Sequence, residues 1–506
     1  MEKILFTHSY FLRFDPKQWK LGQPYPPLGT IYAAALMREK GFQVSLQDSM
    51  FSLKASDIRI RLQLEQPKYF VVYDDGFNYL TKMCLTNMRE AAFAMIHWAK
   101  LKHCIVIFSS SDATDHYEKY LGAGADYVII GEAEYSLLEL VETLEIQETI
   151  LTPNSEPLAP NPELRTPNTL DHIAGISYKG FNGFVKTQKR NVIKDLDSLP
   201  LPAWDLLDLE PYKKMWKKST GYFSLNIATT RGCPFRCNWC AKPIYGNRYN
   251  VRSPMHVVNE LKMLKSNYGF DHIWFCDDIF GLHPGWVKEF AWLLKNENLH
   301  LRFKIQSRAD LLLQENYVEA LAEAGCETVW MGAESGSQKI LDAMDKGITV
   351  NQIAEATKLL RKYGIRPCFF IQFGYLDENN GDIEATIEMI HRLLPDEIGI
   401  SISYPLPGTK FYEKVKQQLK WKANWTDSNE LALMFQNKQS PSFYKQLHKY
   451  VHKSYRKQLA IYQAVKILRN PLRLDLPSIK KILSGIYYIP ASIIARSRLR
   501  HLQNFK

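Results

Sequence analysis

Three cysteines fall within eight residues, in the run Arg231-Gly232-Cys233-Pro234-Phe235-Arg236-Cys237-Asn238-Trp239-Cys240, and only five others are scattered over the chain. The spacing C-x3-C-x2-C sets three thiolates on one short loop. That is enough to hold three irons of a 4Fe–4S cluster and to leave the fourth open to a small molecule. The other reading is a structural zinc site, which needs four closed ligands. No Cys or His follows within fifteen residues of Cys240, so the fourth ligand would have to come from Cys276 or a distant histidine. Disulfides are disfavoured, because Cys84, Cys104, Cys276, Cys326 and Cys368 sit in apolar, core-like contexts and nothing at the N-terminus suggests export.

The first residues, Met1-Glu2-Lys3-Ile4-Leu5-Phe6, lack the basic start and cleavage site of a signal peptide. The longest candidate apolar run, Ile486 to Ala495, is ten residues and carries Pro490, too short for a spanning helix. The expected location is therefore cytoplasmic. A length of 506 residues leaves room for two or three domains, and 46% apolar with 12% aromatic residues describes a globular chain. The net charge of +11 is uneven: residues 441–506 hold fourteen Lys or Arg against Asp475 alone, a local +13, and the rest of the chain carries −2.

Residues 1–135 alternate short apolar runs with amphipathic helices, the pattern of a doubly wound parallel sheet. Strands are expected at Ile4–Thr7, Val44–Gln47, Tyr69–Tyr73, Cys104–Ser109 and Tyr127–Ile130, with helices over Gly29–Lys40 and Thr86–Leu101. Pro153, Pro157, Pro160, Pro162 and Pro167 give a linker composition. A hairpin is expected next, Ile173–Tyr178 and Phe184–Thr187, turning through Lys179–Gly183. From about Phe223 strands and helices alternate again: Phe223–Thr229, His272–Cys276, Arg302–Ser307, Thr328–Met331, Pro367–Gln372 and Glu397–Ser403. Ser253-Pro254 should open the first helix of this series and Pro284 the second.

The cysteine triad and the barrel pattern behind it resemble the radical S-adenosylmethionine superfamily. The N-terminal stretch is similar to the cobalamin-binding domain of one large subclass, which includes class B methyltransferases and the anaerobic porphyrin cyclases. The matching pieces are Pro26-Pro27-Leu28-Gly29, Arg38-Glu39-Lys40-Gly41-Phe42-Gln43-Val44 and Asp126-Tyr127-Val128-Ile129-Ile130-Gly131-Glu132. The joining segment Leu196–Asp205 is similar as well. There is no D-x-H-x-x-G motif, and Ser109-Ser110-Ser111 stands where a glycine pair is usual. A flavodoxin-like scaffold that binds no corrinoid is the alternative reading of this region.

The resemblance implies an α/β fold: a doubly wound (Rossmann/flavodoxin-like) cobalamin-type domain at 1–150, a linker with the hairpin at 151–215, a partial (βα)6 barrel at 216–415 and a basic helical region at 416–506. It implies a 4Fe–4S cluster on Cys233, Cys237 and Cys240, and S-adenosyl-L-methionine on the open iron. Cobalamin is the third expected cofactor, near Ser109, Ser110, Gly131 and Glu132. Trp239 would pack on the adenine, and Asp277 and Asp278 would accept from the cosubstrate's ammonium, with an N-cap as the alternative role. Arg308 would fork onto its carboxylate, or form a surface ion pair, and Glu334, in Gly332-Ala333-Glu334-Ser335-Gly336, would accept from the ribose hydroxyls. Phe373–Glu378 departs from the family's turn, while Tyr404–Thr409 restores it.

The activity so implied is generation of a 5′-deoxyadenosyl radical and cobalamin-dependent methylation of an unactivated carbon. Radical oxidation or cyclisation without methyl transfer is the alternative, and a zinc-stabilised nucleic-acid or membrane-binding protein is the reading from another class. The expected partners are a small, lipid-like substrate and an electron donor such as flavodoxin or ferredoxin. Residues 443–469 carry an apolar stripe suited to packing on the barrel, ended by Asn470-Pro471. Residues 477–500, read as two segments divided at Pro490, suit an anionic membrane surface, which would add peripheral contact at the inner membrane. Nucleic acid ranks last, for want of a recognition fold.

Overall fold

The computed structural model describes residues 2–77, 79–82, 85–151, 170–419, 422–469 and 475–504. The five prolines between 153 and 167, Cys84 and Asn470-Pro471 lie outside the described residues. The chain divides into two compact units: Met1–Pro234 with Lys242–Asp278 and Asn424–Asn429, and Phe235–Ala241 with Ile279–Ala423 and Glu430–Lys506.

The first unit opens with β1 (Lys3–Thr7), β2 (Gln43–Gln47), β3 (Tyr69–Tyr73), β4 (Ile105–Ser109) and β5 (Tyr127–Ile129), parallel and ordered β2-β1-β3-β4-β5. Near-continuous apolar runs mark strands covered on both faces, and all five residues of β3 are buried. The helix Leu28–Glu39 buries Leu28 through Met37 against this sheet. Thr86–Lys100 and Ser111–Gly122 supply further cover.

The hairpin, β6 (Ile176–Gly180) and β7 (Gly183–Lys186), does not stand alone. It continues the sheet as antiparallel strands, Tyr178 opposite Tyr127, and so protects the edge of β5. Its turn is tighter than expected, because Lys179 pairs with Phe184 and Gly180 with Gly183.

Also in this unit, β8 (Ser224–Ile227) leads to β9 (Thr230–Arg231), which pairs antiparallel with β10 (Asn250–Val251). The helix Pro254–Tyr268 is capped by Ser253 and followed by β11 (His272–Phe275), parallel to β8. In the second unit β12 (Phe303–Ser307), β13 (Cys326–Glu334), β14 (Arg366–Phe373) and β15 (Glu397–Ile402) pair in sequential order, all parallel. Both series of strands, β8 with β11 in the first unit and β12 to β15 in the second, run parallel with helices between them, so the fold is α/β as expected. Pro284 does not open a helix; the helix there is Trp286–Asn296, with Gly285 at its N-cap at φ 80°.

The second unit ends in two long helices, Pro441–Arg469 and Leu476–Asn504. Phe443, Leu447, Val451 and Tyr455 are buried, and Tyr455 Oη donates to Pro395 O (2.7 Å), so the first half of the earlier stripe does pack inward. Tyr462 and Val465, further along the same helix, are exposed. The later helix runs through Pro490 unbroken, contrary to the expected division. Packing against its antiparallel neighbour holds it: Gln446 Nε2 donates to Ala495 O (2.9 Å) and Gln463 Nε2 to Ser478 Oγ (3.1 Å). Among the described residues no helix is long and apolar enough to cross a membrane.

Candidate active site

Every expected site residue sits at the end of a strand or on the loop that follows it, where catalytic groups of parallel α/β folds gather. In the first unit the cysteine loop leaves from β9. Gly232 (φ 82°) lies so close to the chain at Arg248 that a Cβ would meet Arg248 O at 2.5 Å, so only glycine fits just before Cys233. Cys233 is buried.

Arg231 anchors the start of this loop. Its guanidinium, 3% exposed, pairs with Glu132 Oε1 (2.6 Å) and Glu134 Oε1 (2.7 Å) and lies against the rings of Tyr32, Phe77 and Tyr245. Glu132 also accepts from Ile193 N (2.5 Å). This carboxylate, expected near a cofactor, is thus engaged by the backbone and by Arg231.

Asp277 is spent in a similar way. Its carboxylate accepts from Thr229 N (2.7 Å), Thr229 Oγ1 (2.6 Å) and Thr230 N (2.8 Å), bracing the turn between β8 and the cysteine loop. Burial pushes its pKa up to about 6 against the pull of those hydrogen bonds. Asp278, more exposed, pairs with Lys82 (2.7 Å). Neither serves as an N-cap. Cys276, the nearest alternative metal ligand, directs its thiol to Ile227 O (3.3 Å), and burial holds its pKa well above that of an ordinary thiol.

At the carboxyl end of β4, Ser109 O accepts from Asp74 N (2.8 Å), and Ser110 Oγ caps the next helix through Ala113 N (2.8 Å). Ser111 Oγ is buried without a hydrogen-bond partner among the described residues. Gly131 (φ 83°) gives its N–H to Thr114 Oγ1 (3.1 Å).

The second unit holds Cys237 and Cys240, with Trp239 half-buried between them and its Nε1 without a partner among the described residues. Asn238 pins this stretch of loop. Its N–H donates to Met344 O (3.0 Å) and its Nδ2 to Ala343 O (2.6 Å), while Tyr375 Oη donates to its Oδ1 (2.5 Å). Arg308 is 4% exposed rather than on the surface. Its guanidinium lies 3.7 Å from the centre of the Phe235 ring and reaches Asp310 (3.0 Å), Lys346 O (2.8 Å) and Cys237 Sγ (3.9 Å).

Glu334 ends β13 at φ 55°, a left-handed conformation unusual for a residue with a side chain, at a break in the register with β14. Its Oε1 accepts from Lys346 Nζ (2.9 Å), and both side chains are buried. Burial disfavours charge on Lys346, but Glu334 and Cys237 more than restore it, so its ammonium titrates above the ordinary lysine value. One glycine of this motif has a steric reason: a Cβ on Gly336 would run into the backbone of Ala385 and Thr386.

Lys346, Asn238 and Arg231 were not singled out in the sequence. The available cue to Lys346 was that a buried Glu334 needs a cation; to Arg231, that it adjoins the cysteine loop. The arrangement sets two cations, Arg308 and Lys346, beside the Cys237 sulfur; a thiolate is the form of cysteine that binds iron. Among the described residues no three His, Cys, Asp or Glu side chains converge on a position for a single metal ion.

Residues 227–390 match the family model described as Radical SAM superfamily. An uncharacterized methyltransferase of Pyrococcus horikoshii is 29% identical over 456 residues, 88% of this chain and 90% of its own length. The hopanoid C-3 methylase of Methylococcus capsulatus is 24% identical over 462 residues, 88% of this chain and 80% of its own. Among solved structures, the radical S-adenosylmethionine methyltransferase TsrM from Kitasatospora setae, with cobalamin and a [4Fe-4S] cluster bound, superimposes with a TM-score of 0.65 at 18% identity, covering 83% of this chain and 78% of that one.

Proposed function

The chain is a radical S-adenosylmethionine enzyme, and on that premise we propose that it methylates an unactivated carbon of a lipid-like small molecule, with cobalamin as the methyl carrier. The observation that carries the reading is the joining, in one chain, of the matched radical domain to a doubly wound sheet, over the same 88% at which a hopanoid methylase aligns. When bound, the cluster and S-adenosylmethionine supply an electron and a hydrogen-abstracting radical, and cobalamin a transferable methyl group.

The chain's own residues bind and orient. Cys233, Cys237 and Cys240 would ligate three irons, with Arg308 and Lys346 beside the Cys237 sulfur. Glu334, held by Lys346, would accept from the ribose hydroxyls, and Arg308 would pair with the cosubstrate carboxylate. Trp239 would cover the adenine. Asp278 is the better candidate of the acidic pair for the ammonium, since Asp277 already holds Thr229 and Thr230. For the corrinoid, the buried hydroxyl of Ser111 at the start of the helix Ser111–Gly122 is an open donor where the fold places ligands. The polar residues present fit a nucleotide tail in this respect.

The test is anaerobic reconstitution with iron, sulfide and hydroxocobalamin, followed by turnover with methyl-labelled S-adenosylmethionine and a polycyclic lipid extract. Near-stoichiometric corrinoid, with label in the product and matching yields of 5′-deoxyadenosine and S-adenosylhomocysteine, is expected. 5′-Deoxyadenosine without S-adenosylhomocysteine would replace methylation with radical oxidation or cyclisation.

A further inference from the structure

The last helix is built the wrong way round for a helix in water. Its buried positions, Ser478, Gly485, Ser492, Ala495 and Leu499, are mostly small and face the helix Pro441–Arg469. The tightness of that contact is set by Gly485, where a Cβ would lie 3.1 Å from Ala460 Cβ. The outward positions Leu483, Ile486, Tyr487, Ile493 and Ile494 are 57%, 74%, 61%, 64% and 54% exposed. They recur at the three- and four-residue spacing of one helix face, so they form a single apolar stripe with nothing covering it among the described residues. Lys480 and Arg498 border that stripe.

A second feature adjoins it. An open cleft of about 280 Å³ is lined by His448, Lys449, His452, Lys453, Arg456 and Tyr488, with no acidic side chain. The Tyr488 ring lies 5.0 Å from that of Tyr487, which belongs to the apolar stripe. A cleft lined by lysines, histidines and an arginine suits a phosphate group.

We propose that this helical hairpin docks the protein on an anionic lipid surface, the stripe of the last helix entering the headgroup–acyl boundary and the basic cleft taking a lipid phosphate. The proposal goes beyond the active-site reading and does not depend on which substrate is methylated. Charge decides the occupant. Residues 441–506 carry fourteen Lys or Arg and one acid, so a second copy docked on the same face would set two segments of +13 against each other. Nucleic acid would answer the charge but leave the leucine and isoleucines in water. An anionic bilayer answers both, and the hairpin lies on it rather than through it, since no described helix can span.

Flotation of the full-length protein with vesicles tests this. Recovery with equal parts phosphatidylcholine and phosphatidylglycerol should fall by about tenfold or more on phosphatidylcholine alone, and should weaken in high salt. Ile486→Glu with Ile493→Glu, both at exposed sites, should lower binding by about tenfold. Lys453→Glu with Arg456→Glu should do the same, while Lys217→Glu with Lys218→Glu, an equal charge change elsewhere, should not. Failure of the wild type to float, or equal flotation of all variants, overturns the proposal. So does a wild-type dimer in sedimentation velocity that Ile486→Glu with Ile493→Glu dissociates, because the stripe would then belong to a second copy.

Discussion

The two units use buried charge in opposite ways. In the first, carboxylates hold the backbone and one another's partners: Asp277 takes Thr229 and Thr230, and Glu132 takes Ile193 and Arg231. In the second, cations surround a sulfur: Arg308 reaches Cys237, and Lys346 stands close enough for that thiol to raise its own pKa. Acids that brace loops create a rigid frame with little spare capacity for a ligand. Cations beside a cysteine create a field that a metal-binding thiolate needs. The difference separates residues that shape the site from residues that would act in it, a distinction the motifs alone do not make.

The sharpest way to break that comparison is to remove the sulfur. Cys237→Ala should abolish cluster content and turnover while leaving the far-ultraviolet spectrum unchanged, whereas Cys276→Ala, whose thiol only meets Ile227 O, should keep its iron and sulfide. An iron-replete Cys237→Ala protein would end the assignment. Next come the two buried networks. Arg231→Met strands two buried carboxylates and should cost about 3–5 kcal/mol of stability, read by chemical denaturation. Lys346→Met strands Glu334 alone and should cost about 3 kcal/mol. It should also weaken S-adenosylmethionine binding, which Arg231→Met at permissive temperature should do far less.

Most of the frame was legible from local pattern. Strands β1 to β5 came out within one residue because parallel strands covered on both faces are written as continuous apolar runs such as Tyr69–Tyr73. Long-range partnerships were not legible. The edge on which the hairpin settles depends on the pairing of Tyr127 with Tyr178, and Asp277 meets Thr229 across forty-eight residues. Pro490 misled for a physical reason: proline breaks an isolated helix, but tight packing on a neighbour compensates for the lost hydrogen bond. Arg308 and Glu334 do lie at the ends of their strands, where the motifs put them, yet the lysine that connects them could only follow from knowing that both are buried.

Glu378 sharpens the contrast, because it is an acid of the second unit that behaves like those of the first. Fully buried, it accepts from Gly374 N (2.7 Å) while Oε1 has no partner among the described residues. Burial raises its pKa from 4.5 to about 8. The folded state therefore keeps a proton that the unfolded chain has released, so this group's contribution is fully present below pH 4.5 and lost as pH rises through about 8. Glu378→Gln should flatten that decline, gaining on the order of 2 kcal/mol over the wild type at the alkaline end. Parallel stability curves for the two proteins would show that Glu378 is ionised at neutral pH and has a partner of its own.

The smallest expected effect bears on the remaining ambiguity of the acidic pair. Lys82 and Asp278 are partly exposed, 19% and 29% by side chain, so their 2.7 Å ion pair should contribute less than about 1 kcal/mol. Lys82→Met should barely move the denaturation midpoint. If Asp278 also receives the ammonium of the cosubstrate, Asp278→Asn should weaken S-adenosylmethionine binding out of proportion to that small stability change. Removing Lys82 should tighten binding slightly, because a competing cation has gone. Equal, negligible effects of both substitutions on affinity would leave Asp278 a surface charge, and the cosubstrate's ammonium would then have to be met by backbone carbonyls rather than by either carboxylate.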